Sequence, residues 1–139
     1  MKSRTLVVLV VAAFVTVMAA YAQSTARLSA NIPFEFRVGN SVLAAGEYEI
    51  IPISTPRTLL VRSADGEAAV VALTNTAEKL LAPKDGKLVF NRYGNTYFLS
   101  QVWHPGINRG YELPKSKSER EMAQNAARTE LAYIKVTVQ

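Results

Sequence analysis

The chain has 139 residues, a net charge of +5 and no cysteine. Without cysteine, a disulfide scaffold, a thiolate zinc centre and a lipid-anchored leader are all excluded. The lysines and arginines are scattered rather than clustered, which argues against nucleic acid as a partner.

Residues 1–22 read as a secretory signal peptide. Lys2 and Arg4 supply a positive start, residues 6–20 are uncharged and apolar, and Ala20-Tyr21-Ala22 is a small-x-small cleavage site. The apolar run is shorter than the roughly 20 residues a spanning helix needs. Cleavage is expected between Ala22 and Gln23. The mature chain is then one domain, residues 23–139, with a net charge of +3. A domain of this size buries enough surface for a core of its own. Membrane contact is expected only during export, and the destination is the periplasm or the exterior.

Residues 23–30 read as a mobile lead-in. Residues 31–38 predict a strand, with Ile32, Phe34, Phe36 and Val38 on one face and Pro33, Glu35 and Arg37 on the other. Pro33 has no N–H, so it belongs at an edge or a strand start. Residues 42–44 form a short extended piece. In residues 47–53, Tyr48 and Ile50 alternate with Glu47 and Glu49. Residues 58–63 are the next strand, and Asp65-Gly66 is a hairpin turn. Residues 67–74 return, with Ala69, Val71 and Leu73 on one face. Residues 75–82 read as a short strand or loop, and Pro83-Lys84-Asp85-Gly86 as a turn.

Residues 87–103 form the aromatic-rich centre of the chain. A two-residue turn at Gly94-Asn95 pairs Tyr93 with Thr96, Arg92 with Tyr97 and Phe90 with Leu99. One face then carries Leu88, Phe90, Tyr97 and Leu99, the other Val89, Phe98 and Val102. Apolar residues on both faces predict a central position in a sheet. Residues 116–128 predict the one helix. Ser116-x-x-Glu119 and Ser118-x-x-Glu121 are capping-box patterns, and Met122, Ala123, Ala126 and Ala127 make a narrow apolar stripe. Residues 131–138 predict a last strand with Ala132, Ile134, Val136 and Val138 facing inward. The expectation is a mainly β domain: an antiparallel sandwich or barrel of about eight strands, with one helix packed on the sheet.

The pattern Phe34-x-Phe36-x-Val38-Gly39, Leu43-x-Ala45-Gly46-x-Tyr48-x-Ile50, the run from Lys87 to Leu99, Trp103, and Glu112-Leu113-Pro114-x-Ser116-x-x-Glu119 resembles a group of short exported proteins of unknown activity. They occur mainly in soil bacteria. The resemblance spans nearly all of the mature chain. It implies a signal peptide and a small β-rich domain, and it brings no catalytic residue.

Little here suggests catalysis. His104 is the sole histidine, no Gly-x-Ser-x-Gly elbow exists, and His104 precedes Pro105 at a strand end. One histidine without cysteine does not furnish a transition-metal site, and no cofactor is expected. Asp65 and Asp85 sit in separate turns, so calcium is not favoured. Glu47 and Glu49, near Glu35, read as a solvated strand face rather than a tuned pair. The basic stretch of Arg109, Lys115, Lys117 and Arg120 is diluted by Glu112, Glu119 and Glu121. The strongest ligand-binding candidates are Tyr97, Trp103, His104, Tyr111 and Arg92, because rings with a polar edge suit sugar or peptide surfaces. The expected role is a non-enzymatic binding or structural module with a glycan or envelope component as partner. The alternatives are a small envelope- or polysaccharide-acting enzyme and a subunit of an envelope assembly.

Overall fold

The computed structural model describes residues 27–53 and 57–139; the expected leader and cleavage site lie outside them. Among the described residues, twelve strands and one helix follow in order. The strands are β1 (Leu28–Ile32), β2 (Phe36–Val38), β3 (Ser41–Leu43), β4 (Gly46–Pro52), β5 (Thr58–Ser63), β6 (Ala69–Leu73), β7 (Asn75–Glu78), β8 (Lys87–Tyr93), β9 (Thr96–Trp103) and β10 (Arg109–Glu112). The helix α1 (Lys117–Asn125) precedes β11 (Glu130–Lys135) and β12 (Thr137–Val138).

The strands form two sheets. One has the order β12-β1-β4-β5-β6. The other has the order β11-β8-β9-β10-β7, with β2 beside β9 and β3 beside β2. The pairings are antiparallel except for β2 with β9. The result is a sandwich without a closed barrel. More strands are present than the pattern predicts, because residues 109–112 add β10 between β9 and β7 and two predicted strands each serve both sheets.

Residues 28–38 are the first case. Leu28, Ala30, Ile32, Phe36 and Val38 are buried and keep one period of two. The chain breaks at Pro33, and β1 and β2 then join different sheets. The predicted mobile lead-in is thus corrected: residues 28–30 are strand, held by β4 and β12. The last strand is the second case. It divides at Val136, which is buried, into β11 beside β8 and β12 beside β1. Val138 is exposed rather than inward. On the opposite side Thr74 carries the chain from β6 to β7. Its N–H and hydroxyl both donate to the Arg57 carbonyl, so this buried corner is satisfied.

The core lies between the sheets. Phe36 meets Tyr48 and Phe90 edge-on, with centroids 5.0 Å and 5.6 Å apart. Such pairs add about 0.5–1.5 kcal/mol each beyond the area they bury. Ile32, Ile50, Leu59, Val61, Leu88, Leu99 and Val102 fill the rest.

The central hairpin has the predicted register: Tyr93 with Thr96, Arg92 with Tyr97, Phe90 with Leu99. Gly94 takes φ +61°, the first-position geometry of a two-residue hairpin turn. Beyond Leu99 the register shifts. Phe90 pairs with Leu99 but Val89 pairs with Gln101, so Ser100 is an extra residue. The shift returns Val102 to the core beside Leu88, where strict alternation had placed it on the other face. It also leaves a second buried strip, Val89, Tyr93, Phe98 and Trp103, apart from the main core. In β6 the inward residues are Val70 and Ala72, while Ala69, Val71 and Leu73 face solvent.

Candidate functional site

The structure divides the five ring and arginine candidates. Tyr97 lies half-buried against the core, stacked on Phe34 with centroids 3.8 Å apart. Arg92 lies over the same ring at 5.4 Å, donates to the Gly94 carbonyl at 2.7 Å and faces Glu130 at 3.7 Å. Tyr111 also packs on the core. Trp103 sits six residues along β9 from Tyr97, about 20 Å away at strand rise, and belongs to the other buried strip. It is 2% exposed. His104 follows it, with Nδ1 3.0 Å from the Pro105 carbonyl and Nε2 buried without a partner. The five therefore do not share one surface.

Trp103 is positioned by four neighbours. Its ladder partners are Lys87 on β8 and Gly110 on β10. The indole leans over Gly110, where a Cβ would come within 2.7 Å of ring carbon Cε3. The indole N–H donates to Gln101 Oε1 at 3.0 Å. Lys79, whose N–H is held by the Asn108 carbonyl, lays its Nζ over the ring 4.2 Å from the centroid.

That lysine opens a feature the sequence did not announce. Lys87 is directly opposite Lys135 in the β8–β11 ladder, and its Nζ lies 4.7 Å over the Tyr133 ring. Lys79 is held below the usual lysine pKa, first by burial and then by the adjacent Lys87 ammonium. Lys135 is paired with Asp85 at 3.6 Å. Among the described residues Lys79 and Lys87 form no ion pair. Like charges opposed across a ladder are unfavourable; here Asp85 offsets Lys135, and the ring faces offset Lys79 and Lys87. The arrangement is a cationic strip with aromatic backing, suited to an anion that bridges ammonium groups. Lys135 is far from Lys79 and Lys87 in the chain, and no local spacing connects the three.

The helix end of the same sheet is built differently. Ser116 is the N-cap, and its hydroxyl accepts from Glu119 N–H at 3.2 Å. The Glu119 side chain turns to the sheet, where Asn91 donates to it at 2.9 Å and Tyr93 at 3.1 Å. Glu119 is buried, and this carboxylate is the peg that fastens α1 to β8. Burial and the Glu119 charge push the Tyr93 hydroxyl up to about 12. The neutral phenol is the form that donates to Glu119. Its contribution to stability is full below its ordinary value of about 10 and declines as pH rises from 10 towards 12. Urea midpoints across that range are expected to fall more steeply for the native chain than for Tyr93→Phe; equal slopes would dismiss the bond.

Between α1 and the hairpin tip runs an open groove of about 800 Å³, lined among others by Arg92, Tyr93, Met122, Arg128 and Glu130. The carboxylates considered for catalysis are separated. Glu49 is ion-paired with Arg62, which holds its carboxyl below the usual range, and Glu47 is exposed on the same strand. Arg109 of the predicted basic stretch pairs with Glu78 at 3.2 Å, and Arg120 donates to the Lys115 carbonyl.

No family model matches the chain, and no curated protein or solved structure is significantly similar to it.

Proposed function

We propose that the chain is an exported, non-enzymatic binding module of the cell envelope or extracellular space, and that it binds an anionic glycan or a comparable acidic envelope polymer. The observation that supports this reading is the meeting of Lys79, Lys87 and Lys135 on one sheet face, with Trp103 and Tyr133 beneath two of the ammonium groups. A polymer bearing carboxylate or sulfate groups relieves the mutual repulsion of these lysines, and a sugar ring packs on the exposed edge of Tyr133. Only an extended ligand fits, because the strip is a surface rather than a pocket.

The test uses the mature domain, polygalacturonate as acidic probe and dextran as neutral probe. Binding to polygalacturonate alone is expected, weakening as salt rises from 50 to 500 mM through screening, with a Debye length falling from roughly 14 to 4 Å. Lys79→Gln with Lys87→Gln is expected to weaken it about tenfold, while the circular dichroism spectrum stays native. Equal binding of both polymers, no binding of either, or full binding by the double variant would overturn the reading.

A further inference from the structure

The five-stranded sheet ends at β6, and among the described residues no strand pairs with its outer side. Other edges are guarded. β12 has two residues and β3 three. β11 carries Glu130 and Lys135, each in an ion pair, and β7 carries Glu78, paired with Arg109. β6 is Ala69-Val70-Val71-Ala72-Leu73, without a charge or a proline. Val71 is 61% exposed and Leu73 74%. Charge, proline and shortness are the usual protections of an edge, and β6 has none.

The direction of its backbone groups follows from the ladder. Ser63 N–H donates to the Ala68 carbonyl, and Thr74 N–H donates to the Arg57 carbonyl. The register between these pairs is unbroken. Hydrogen-bonded pairs in an antiparallel ladder recur every second residue, so Val70 and Ala72 direct their N–H and C=O to β5. Ala69, Val71 and Leu73 direct theirs to the open edge.

We infer that this edge pairs with β6 of a second copy of the chain, antiparallel, with Val71 on the two-fold axis. Val71 then faces its own equivalent and Ala69 faces Leu73. These three hydrogen-bonded pairs give six N–H to carbonyl bonds and make one continuous ten-stranded sheet. The register is self-complementary in three ways. The three outward-directed residues are symmetric about Val71. The smallest exposed side chain meets the largest. Each acidic turn, with Asp65 and Glu67, meets the end of the other strand beside Arg57, away from its own equivalent. A five-residue pairing buries less than the roughly 1,200–2,000 Å² of a standard interface. The association is therefore reversible and concentration-dependent.

Sedimentation equilibrium of the mature domain tests this, with Val71→Lys as the variant. The side chain at 71 is exposed, so the fold is kept, while two lysines oppose each other on the axis. Reversible dimerisation of the native chain is expected, weakened about tenfold or more in Val71→Lys. The chain has no cysteine, so Val71→Cys carries a single spin label. Cα atoms of a hydrogen-bonded pair lie about 5.5 Å apart, and the labelled dimer is expected to show strong dipolar broadening. A native chain that stays monomeric at millimolar concentration, a Val71→Lys variant that dimerises as tightly, or a labelled dimer without broadening would each refute the pairing.

Discussion

Trp103→Ala is expected to lower the unfolding free energy by about 3–5 kcal/mol, the range for removing a large buried aromatic side chain. The indole is 2% exposed and fills the space that Gly110 leaves open. Its loss uncovers Gly110, strands the Gln101 amide oxygen and removes the ring beneath Lys79. In a domain of this size, whose total stability is on the order of 5–15 kcal/mol, the variant is expected to be largely unfolded near 37 °C. Tyr97→Ala serves as comparison. Tyr97 is half-buried and rests on Phe34 at the sandwich rim, so its loss is expected to cost less. Urea denaturation followed by circular dichroism reads both. A Trp103→Ala midpoint within experimental scatter of the native one would mean that the indole is a surface group.

Glu119→Ala is expected to be the most damaging change in the helix. It removes the acceptor shared by Asn91 and Tyr93, leaving two donors at a buried joint. Each orphaned donor costs about 1–3 kcal/mol, so the loss is on the order of 2–6 kcal/mol. The N-cap survives, because Ser116 accepts from the backbone of residue 119 and not from its side chain. The helix therefore keeps its start and loses its fastening. Amide exchange in Lys117–Asn125 is expected to accelerate more than exchange in β8. Glu121→Ala is the control: it sits one turn end away, exposed, and is expected to cost less than about 0.5 kcal/mol. If the two variants melt alike, the carboxylate does not fasten the helix.

The features legible in the sequence are those encoded over short distances. The hairpin register followed from Gly94-Asn95 and the alternation on either side, and the helix start followed from Ser116-x-x-Glu119. The β-rich class followed from the strand count and the turns, which left sandwich and barrel open. Features encoded between distant segments were not legible. One inserted residue at Ser100 reverses which face Val102 occupies, and nothing at Ser100 itself marks it. Pro33 did mark a limit in the first strand, but hydrophobic alternation runs through it unchanged, so the move between sheets was hidden. β6 is apolar at every position, and alternation therefore could not tell the inward Val70 and Ala72 from the outward Val71. At the candidate site, the ring of Trp103 drew attention by its type. Its real neighbours are Lys79 and Lys87, which arrive through β7 and β8, and Lys135 arrives through the β8–β11 pairing.

The first and last strands of the domain are ladder partners. Leu28 pairs with Val138 and Ser29 with Thr137, and Gln139 N–H donates to the Arg27 carbonyl. Because β11 supplies the edge of one sheet and β12 the edge of the other, residues 130–139 finish both layers at once. Closing a loop of more than a hundred residues is entropically slow. A chain growing from its N-terminus therefore completes neither sheet until residues 130–139 are added, and the two layers are finished together as one late event.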